Sequence, residues 1–410
     1  MRFFFPDSQD QISPSFDFRT EEYSPFRVRQ RDDRYAHEVL DPLPYDGLLV
    51  SKAIVDGSTR GAGKYSEAQR SRLYRYGARK FFRLPDAVSL LGDCGSFNYV
   101  NETVPPYSVS QVADYYESVG FDAGVSVDHV VLAYDRKVGL DNAPEEWVRR
   151  RDISLDYAER FLGECIDRGT PFEPLGAAQG WDPTSYADSV KQLQDMGYKR
   201  IALGGMVPLK TPDILSSLAA VNEIRMPDVE LHLLGISRLD AMTRFAEYGV
   251  TSFDSTAPFR QAFMDDRDNY QVPGGDHYVA IRVPQVDANP TVKRRVLAGE
   301  LDQRTLVRAE RQCLKVLRAV GEDPQHTDEA LAALDEYERL LGVKRSYLQE
   351  YRRTLAERPW EKCPCSLCRE HGIQIAIFRG TERNKSRGFH NLAVLCSQVH
   401  ELPQKTKEAV

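Results

Sequence analysis

Short apolar runs and amphipathic stretches take turns along the middle of the chain. Residues 87–91, 127–133, 172–178, 200–203, 230–234 and 250–253 are apolar and of strand length. Each is followed by a segment with apolar positions at helical spacing. Ser108 and Gln111 form a capping-box pair ahead of one helix, and Gly120 stops it. Ser154 heads a second helix, to Arg168, with Gly169 as its stop. The helix over 184–196 buries Tyr186, Val190 and Leu193. Thr211 opens another, with Pro212 in its first turn. Ser237 opens the next, over Leu239, Met242 and Phe245. Strict alternation of this kind predicts an α/β fold with a parallel sheet. Residues 47–51 are a further strand, and six units in about 200 residues predict a closed (β/α)8 TIM barrel rather than an open sheet. No G-x-G-x-x-G follows the first strand to favour a doubly wound sheet.

The flanks lack this rhythm. Residues 1–46 are polar, rich in Asp, Arg and Pro, and predict an irregular N-terminal extension. Residues 58–65 form a Gly-rich loop in which Gly63 and Lys64 precede Tyr65, not Ser or Thr, so it is no P-loop. Residues 66–83 predict a helix with a basic face (Arg70, Arg72, Arg75, Arg79, Lys80). Beyond Arg260 comes a strand outside the repeat, at 276–284, and then three helices between 291 and 357. The expected division is an extension over 1–46, a catalytic barrel over 47–290, a helical insertion over 291–360 and a cysteine-bearing subdomain with a closing helix over 361–410.

That last segment carries the sharpest local signal. Cys363, Cys365 and Cys368 form C-x-C-x-x-C, and His390 follows after an expected strand (373–378) and a basic loop (379–387). Three thiolates and an imidazole close a tetrahedral zinc shell, which argues for a structural metal. His371, three residues after Cys368, is the rival fourth ligand. The other cysteines (Cys94, Cys165, Cys313, Cys396) are scattered, as in a reducing compartment. With no leader-like N-terminus and no membrane-length apolar run, a cytoplasmic protein with no membrane partner is expected. Net charge is −7, so no global basic field advertises a polyanion, and any such partner needs a local patch.

In a parallel barrel the strand C-termini open on one face, and that face holds the chemistry. The residues just past the apolar runs are Asp93, Asp135, Gln179, Gly204 with Gly205, and Asp254. Paired carboxylates suit nucleophilic or acid–base work at a glycosidic bond. A carboxamide and glycine backbone suit the edge of a flat heterocycle.

In order, these motifs resemble those of the tRNA-guanine transglycosylases, zinc-bearing barrels that exchange guanine for a 7-deazaguanine. The family's D-S-G-G-F matches Asp93 to Phe97, its F-D-E-C falls on Tyr134 to Lys137, and its Q-G on Gln179-Gly180. Its V-G-G-L falls on Leu203 to Met206 and its F-D-x-x-x-P-x-R on Phe253 to Arg260. Its C-x-C-x-x-C…H-N-L matches the cysteine cluster and His390-Asn391-Leu392. Departures are Ser96 for a glycine, Arg136-Lys137 for an acid and a cysteine, and the long helical insertion. These features are similar to the DNA-modifying branch, the DpdA family, which places a 7-deazaguanine such as 7-cyano-7-deazaguanine in DNA.

The resemblance implies a structural zinc, Asp254 as nucleophile and Asp93 as general acid and base. It implies a base pocket made by Asp135, Gln179, Gly204 and Gly205, with Phe97 stacking and Arg260 contributing from the nucleophile motif. DNA contacts are expected from Arg379, Arg383, Lys385 and Arg387, and a helper protein that opens the duplex is conceivable. Two alternatives stay open: the same chemistry on tRNA, and a non-catalytic nucleic-acid-binding subunit on the same fold.

Overall fold

The structure is a computed structural model and describes residues 1–57, 61 and 63–402. Part of the Gly-rich loop at 58–65 and residues 403–410 of the expected closing segment lie outside the described residues. The chain divides into two compact units: Met1–Gln9 with Tyr45–Thr256 and Val399–Val410, and Asp10–Pro44 with Ala257–Gln398.

The first unit is a closed barrel of eight parallel strands. In order they are β1 (Arg2–Pro6), β2 (Gly47–Ser51), β3 (Ser89–Asp93), β4 (Ala123–Val125), β5 (Glu173–Ala178), β6 (Arg200–Leu203), β7 (Glu230–Leu233) and β8 (Val250–Asp254). The barrel closes where Phe4 of β1 registers with Gly47 on one side and Asp254 on the other. Phe4, Leu49, Leu91, Val125, Leu175 and Ala202 fill its interior, so it is a packed core.

Three expectations change here. Residues 1–46 contain the first barrel strand. Phe3, Phe4 and Phe5 are buried on both faces of β1, as a parallel sheet demands, and the run was too short to read as a repeat unit. The expected strand at 127–133 is instead an irregular segment after a three-residue β4, buried over 127–131. The helix expected to start at Ser154 runs from Glu145 to Arg168. Pro144 and two glutamates in its first turn start it, and Ser154 lies inside, its hydroxyl turned back on the Arg150 carbonyl (2.8 Å). The Ser108–Gln111 box, in contrast, forms as read.

The second unit is mainly helical. Pro290–Leu297, Gln303–Glu322, Thr327–Leu341 and Leu348–Glu357 make up the insertion. The expected strand at 276–284 is two short ones, and Ile281–Arg282 pairs in parallel with Ile377–Phe378. The stretch read as a strand at 373–378 is mostly a 3-10 turn (Gly372–Ala376), and the basic loop is the start of a long helix, Gly380–His400. Among the described residues, no helix is long and apolar enough to cross a membrane.

Candidate active site

Barrel geometry puts the last residue of each strand at one rim. Asp93 ends β3 and Asp254 ends β8, while Gln179 follows β5 directly and Gly204 follows β6.

Asp254 is nearly buried, 6 % exposed, and its Oδ1 accepts from the Gly235 backbone N–H (3.1 Å). The same oxygen meets Nε2 of His232 at 3.1 Å, and Nδ1 of His232 meets the Ser252 hydroxyl at 2.9 Å. A carboxylate only accepts, so Nε2 carries the proton and Nδ1 accepts from Ser252. This chain fixes the carboxylate plane through Oδ1, and among the described residues it leaves Oδ2 as the oxygen able to react. His232 was not singled out in the sequence. Its signal was a lone imidazole inside the apolar run of β7, registered opposite Ser252 two residues before Asp254.

Asp93 accepts from the Ser51 hydroxyl (2.8 Å). Burial by the crowded rim, with the neighbouring charges of Asp128 and Asp254, pushes its pKa up to about 7 against the pull of Ser51 and a backbone N–H. A carboxyl so placed exchanges protons readily near neutrality.

Asp128 is the second residue that the sequence reading missed. It is 1 % exposed and receives Nε2 of Gln179 at 2.7 Å and the Cys94 thiol at 3.0 Å. Burial raises its pKa, while the Cys94, Ser96 and Gln179 donors oppose the rise. Tyr99 closes the group, its hydroxyl meeting both Cys94 Sγ (2.9 Å) and the Asp128 carbonyl (3.1 Å). Burial lifts the Cys94 thiol well above its usual range, so it stays a donor.

The F-D-E-C assignment puts Asp135, in Tyr134–Lys137, in the base pocket, and the structure does not bring it to this cluster. Asp135 is exposed, and its carboxylate only caps the Lys137 backbone N–H (3.0 Å). Asp128, seven residues earlier, stands beside Asp93 and Gln179. The register slipped because β4 ends at Val125, much earlier than the apolar run does.

Gln179, Gly204 and Gly205 come together as expected. A Cβ on Gly204 would stand 2.1 Å from Nε2 of Gln179. Gly205 has φ +75°, and its Cβ would stand 2.4 Å from the Val131 carbonyl. The diglycine therefore makes room for the carboxamide, which spans from the Val131 N–H (3.2 Å) to Asp128. Phe97 projects from the Ser96–Tyr99 turn just after β3 and is 48 % exposed. Arg260 is exposed on the Ala257–Met264 helix of the second unit.

In the second unit, Cys363, Cys365, Cys368 and His390 converge, all buried, and could hold a metal ion. Nδ1 of His390 stands 3.5, 3.4 and 3.4 Å from the three sulfurs. Tetrahedral bonds of about 2.3 Å to sulfur and about 2.0 Å to nitrogen require roughly 3.5 Å between them, so the donor set fits a four-coordinate ion. Nε2 of His390 donates to the Gln271 carbonyl (2.7 Å), which presents Nδ1 to the centre. His371 is outside the group and packs against Phe18 (4.5 Å between rings).

The expected DNA-contacting residues are not a surface loop. Arg379, Arg383 and Arg387 are 5 %, 1 % and 0 % exposed. Arg379 forks onto Glu21 and also meets Glu310, and Arg383 meets Glu21, Gln374 and the Phe18 carbonyl. Glu21, despite its burial, is held down at about 2 by these guanidinium groups. Arg387 has backbone carbonyls for partners, those of Asn269, Ile375, Ile377 and Ala262. Lys385 is half-buried against Asp10 (3.3 Å). The basic face expected at 66–83 is also partly spent: Arg79 pairs with Asp122, and Arg72 lies over the Phe81 ring.

A parallel barrel with a carboxylate-rich rim, in a chain that also carries a Cys3His group, defines the class: a guanine transglycosylase of the kind its motifs resemble. The chain belongs to the DNA-guanine transglycosylase family. It is 47% identical over 405 residues, 97% of this chain and 96% of the relative, to a protein of Salmonella montevideo named DNA-guanine transglycosylase. A queuine tRNA-ribosyltransferase of Gluconacetobacter diazotrophicus is a more distant relative, 25% identical over 133 residues, 32% of this chain and 34% of that one. No family model matches. By family the protein is a glycosyl-transferring enzyme.

Proposed function

We propose that the protein exchanges guanine in DNA for a 7-deazaguanine base through a covalent glycosyl–aspartate intermediate. The observation that carries this reading is the pair of unlike carboxylates at the rim, one oriented by His232 and the Gly235 N–H, the other poised near neutrality.

Oδ2 of Asp254 attacks C1′ of a flipped-out deoxyguanosine as the C1′–N9 bond breaks. Asp93, protonated, gives its proton to the departing guanine. The incoming base then attacks C1′, surrenders its N9 proton to Asp93 and displaces Asp254. Two displacements retain the configuration. Asp128, held by Gln179 and Cys94, takes the base-reading role first expected of Asp135. The backbone beside Gly204 and Gly205 lines the same pocket, and Phe97 stacks on the base.

Zinc suits the three thiolates and one imidazole of the second unit. Bound there, it would be held by Cys363, Cys365, Cys368 and His390 and would tie the cysteine segment to the Gly380–His400 helix, a structural role. The name of the relative that is 47% identical over nearly the whole chain supports DNA as the polymer. The base-exchange chemistry alone reads only base and sugar.

The test is incorporation of labelled guanine into purified DNA and, in parallel, into unmodified tRNA. Label in DNA that Asp254→Asn abolishes is expected. Label in tRNA alone would overturn the choice of polymer, and label in neither would favour a non-catalytic subunit or an obligatory partner.

A further inference from the structure

An enzyme acting on DNA needs cations free to meet phosphates, and this chain has a net charge of −7. Arg379, Arg383 and Arg387 are buried and consumed by internal partners. The helix Gln303–Glu322 offers something different. It buries Leu306, Cys313, Leu317 and Val320 along one side. At about 100° per residue, the opposite side carries Arg304, Arg308, Arg311 and Lys315 within an arc of about 60°. These four are exposed, and among the described residues none has an ion pair or side-chain hydrogen bond.

Packing does not explain the stripe. An exposed helix face needs only polar residues, and opposite charges at i, i+4 would stabilise it, as Lys191 and Asp195 do elsewhere. Like charges at that spacing cost a few tenths of a kcal/mol each. Within the helix no acid stands three or four residues from any of the four. Charge is segregated where it could have been paired. A row about 17 Å long at 1.5 Å per residue runs beside about five phosphates of one strand, at 3.4 Å of duplex axis each.

We infer that Arg304, Arg308, Arg311 and Lys315 form a sequence-independent docking ridge for the DNA phosphate backbone. The inference rests on the reading of DNA as the polymer. The ridge supplies affinity and leaves the choice of base to the barrel rim.

The experiment compares three full-length proteins by fluorescence anisotropy with a labelled 30-base-pair duplex over a salt series. They are the wild type, the ridge variant with Arg304, Arg308, Arg311 and Lys315 all changed to Gln, and a control with Arg160, Lys191, Lys199 and Arg339 all changed to Gln. The control removes the same charge from exposed sites elsewhere. The ridge variant is expected to lose about 30-fold or more in affinity at 100 mM salt, with a log–log salt slope smaller by about 3–4. The control should stay within about twofold. Arg308→Gln alone should lower the slope by about 1, and equal thermal midpoints confirm that all remain folded.

A ridge variant that binds like the wild type, or a control that loses as much, would overturn the ridge. Guanine labelling of DNA by the wild type, measured alongside, would keep the functional reading intact in that case. A wild type that neither binds nor labels DNA defeats both.

Discussion

Two buried polar clusters, one in each unit, use the same kinds of residue to opposite ends. In the second unit's cluster each buried guanidinium has carboxylate or carbonyl partners. Arg379 and Arg383 share Glu21, Arg387 is bound by carbonyls of four residues, and the Cys3His group has the make-up of a closed metal shell. At the barrel rim, Asp93, Asp128 and Asp254 crowd together, and hydrogen-bond donors, not cations, hold them. The first arrangement is that of a fastening. In the second, burial and the neighbouring carboxylates displace the proton affinity of Asp93 toward working pH, which is what catalysis needs. Whether buried charges are balanced separates the two more reliably than how many there are.

The contrast can be broken at either end. The largest effect is expected at Asp254: Asn in its place should lower guanine exchange by about 10⁴-fold or more with the thermal midpoint unchanged, read by label incorporation. Cys368→Ser should next remove bound metal, read by elemental analysis, and melt the second unit at a much lower temperature, since a broken structural metal site withdraws folding free energy. Arg387→Leu should cost about 3–5 kcal/mol in urea unfolding, because it removes the buried guanidinium that donates to the carbonyls of Asn269, Ile375, Ile377 and Ala262. His232→Phe should reduce kcat about 100-fold with KM little changed, as expected when a nucleophile is mispositioned rather than lost, and His232→Gln should recover part of the rate.

The smallest expected effect sharpens the comparison by pH. Asp93 binds its proton more tightly folded than unfolded, so its contribution to stability is complete at low pH and is lost as pH rises through about 7. Raising a carboxyl to about 7 corresponds to about 4 kcal/mol, which its partial exposure discounts to about 2. Asp93→Asn should therefore stabilise the protein by about 2 kcal/mol at pH 8 and hardly at pH 4, while abolishing exchange. The wild-type exchange rate should peak near pH 7, because Asp93 must donate in one step and accept in the next.

The repeat of strand and helix was legible because burial on both faces of a parallel strand leaves continuous apolar runs. β1 escaped because it is one short run of phenylalanines far from its neighbours in sequence. The Cys3His group was legible since three cysteines and a histidine at restricted spacing have few other uses. Asp93, Gln179, Gly204, Gly205 and Asp254 were legible from their place at strand ends. Asp128 and His232 were not, because each lies inside an apolar run: only strand register shows what His232 faces, and Asp128 follows a strand that ends three residues earlier. The arginines at 379–387 show the converse failure. A sequence run records charge but not burial, and their acid partner Glu21 is more than 350 residues away along the chain.

The most direct test is to incubate the protein with duplex DNA without free base, quench in denaturant and map any DNA–protein adduct by mass spectrometry. A deoxyribosyl adduct on the peptide that contains Asp254, discharged when guanine is added before the quench, is the predicted result. An adduct on any other side chain, or guanine exchange that proceeds in Asp254→Asn, would contradict the account.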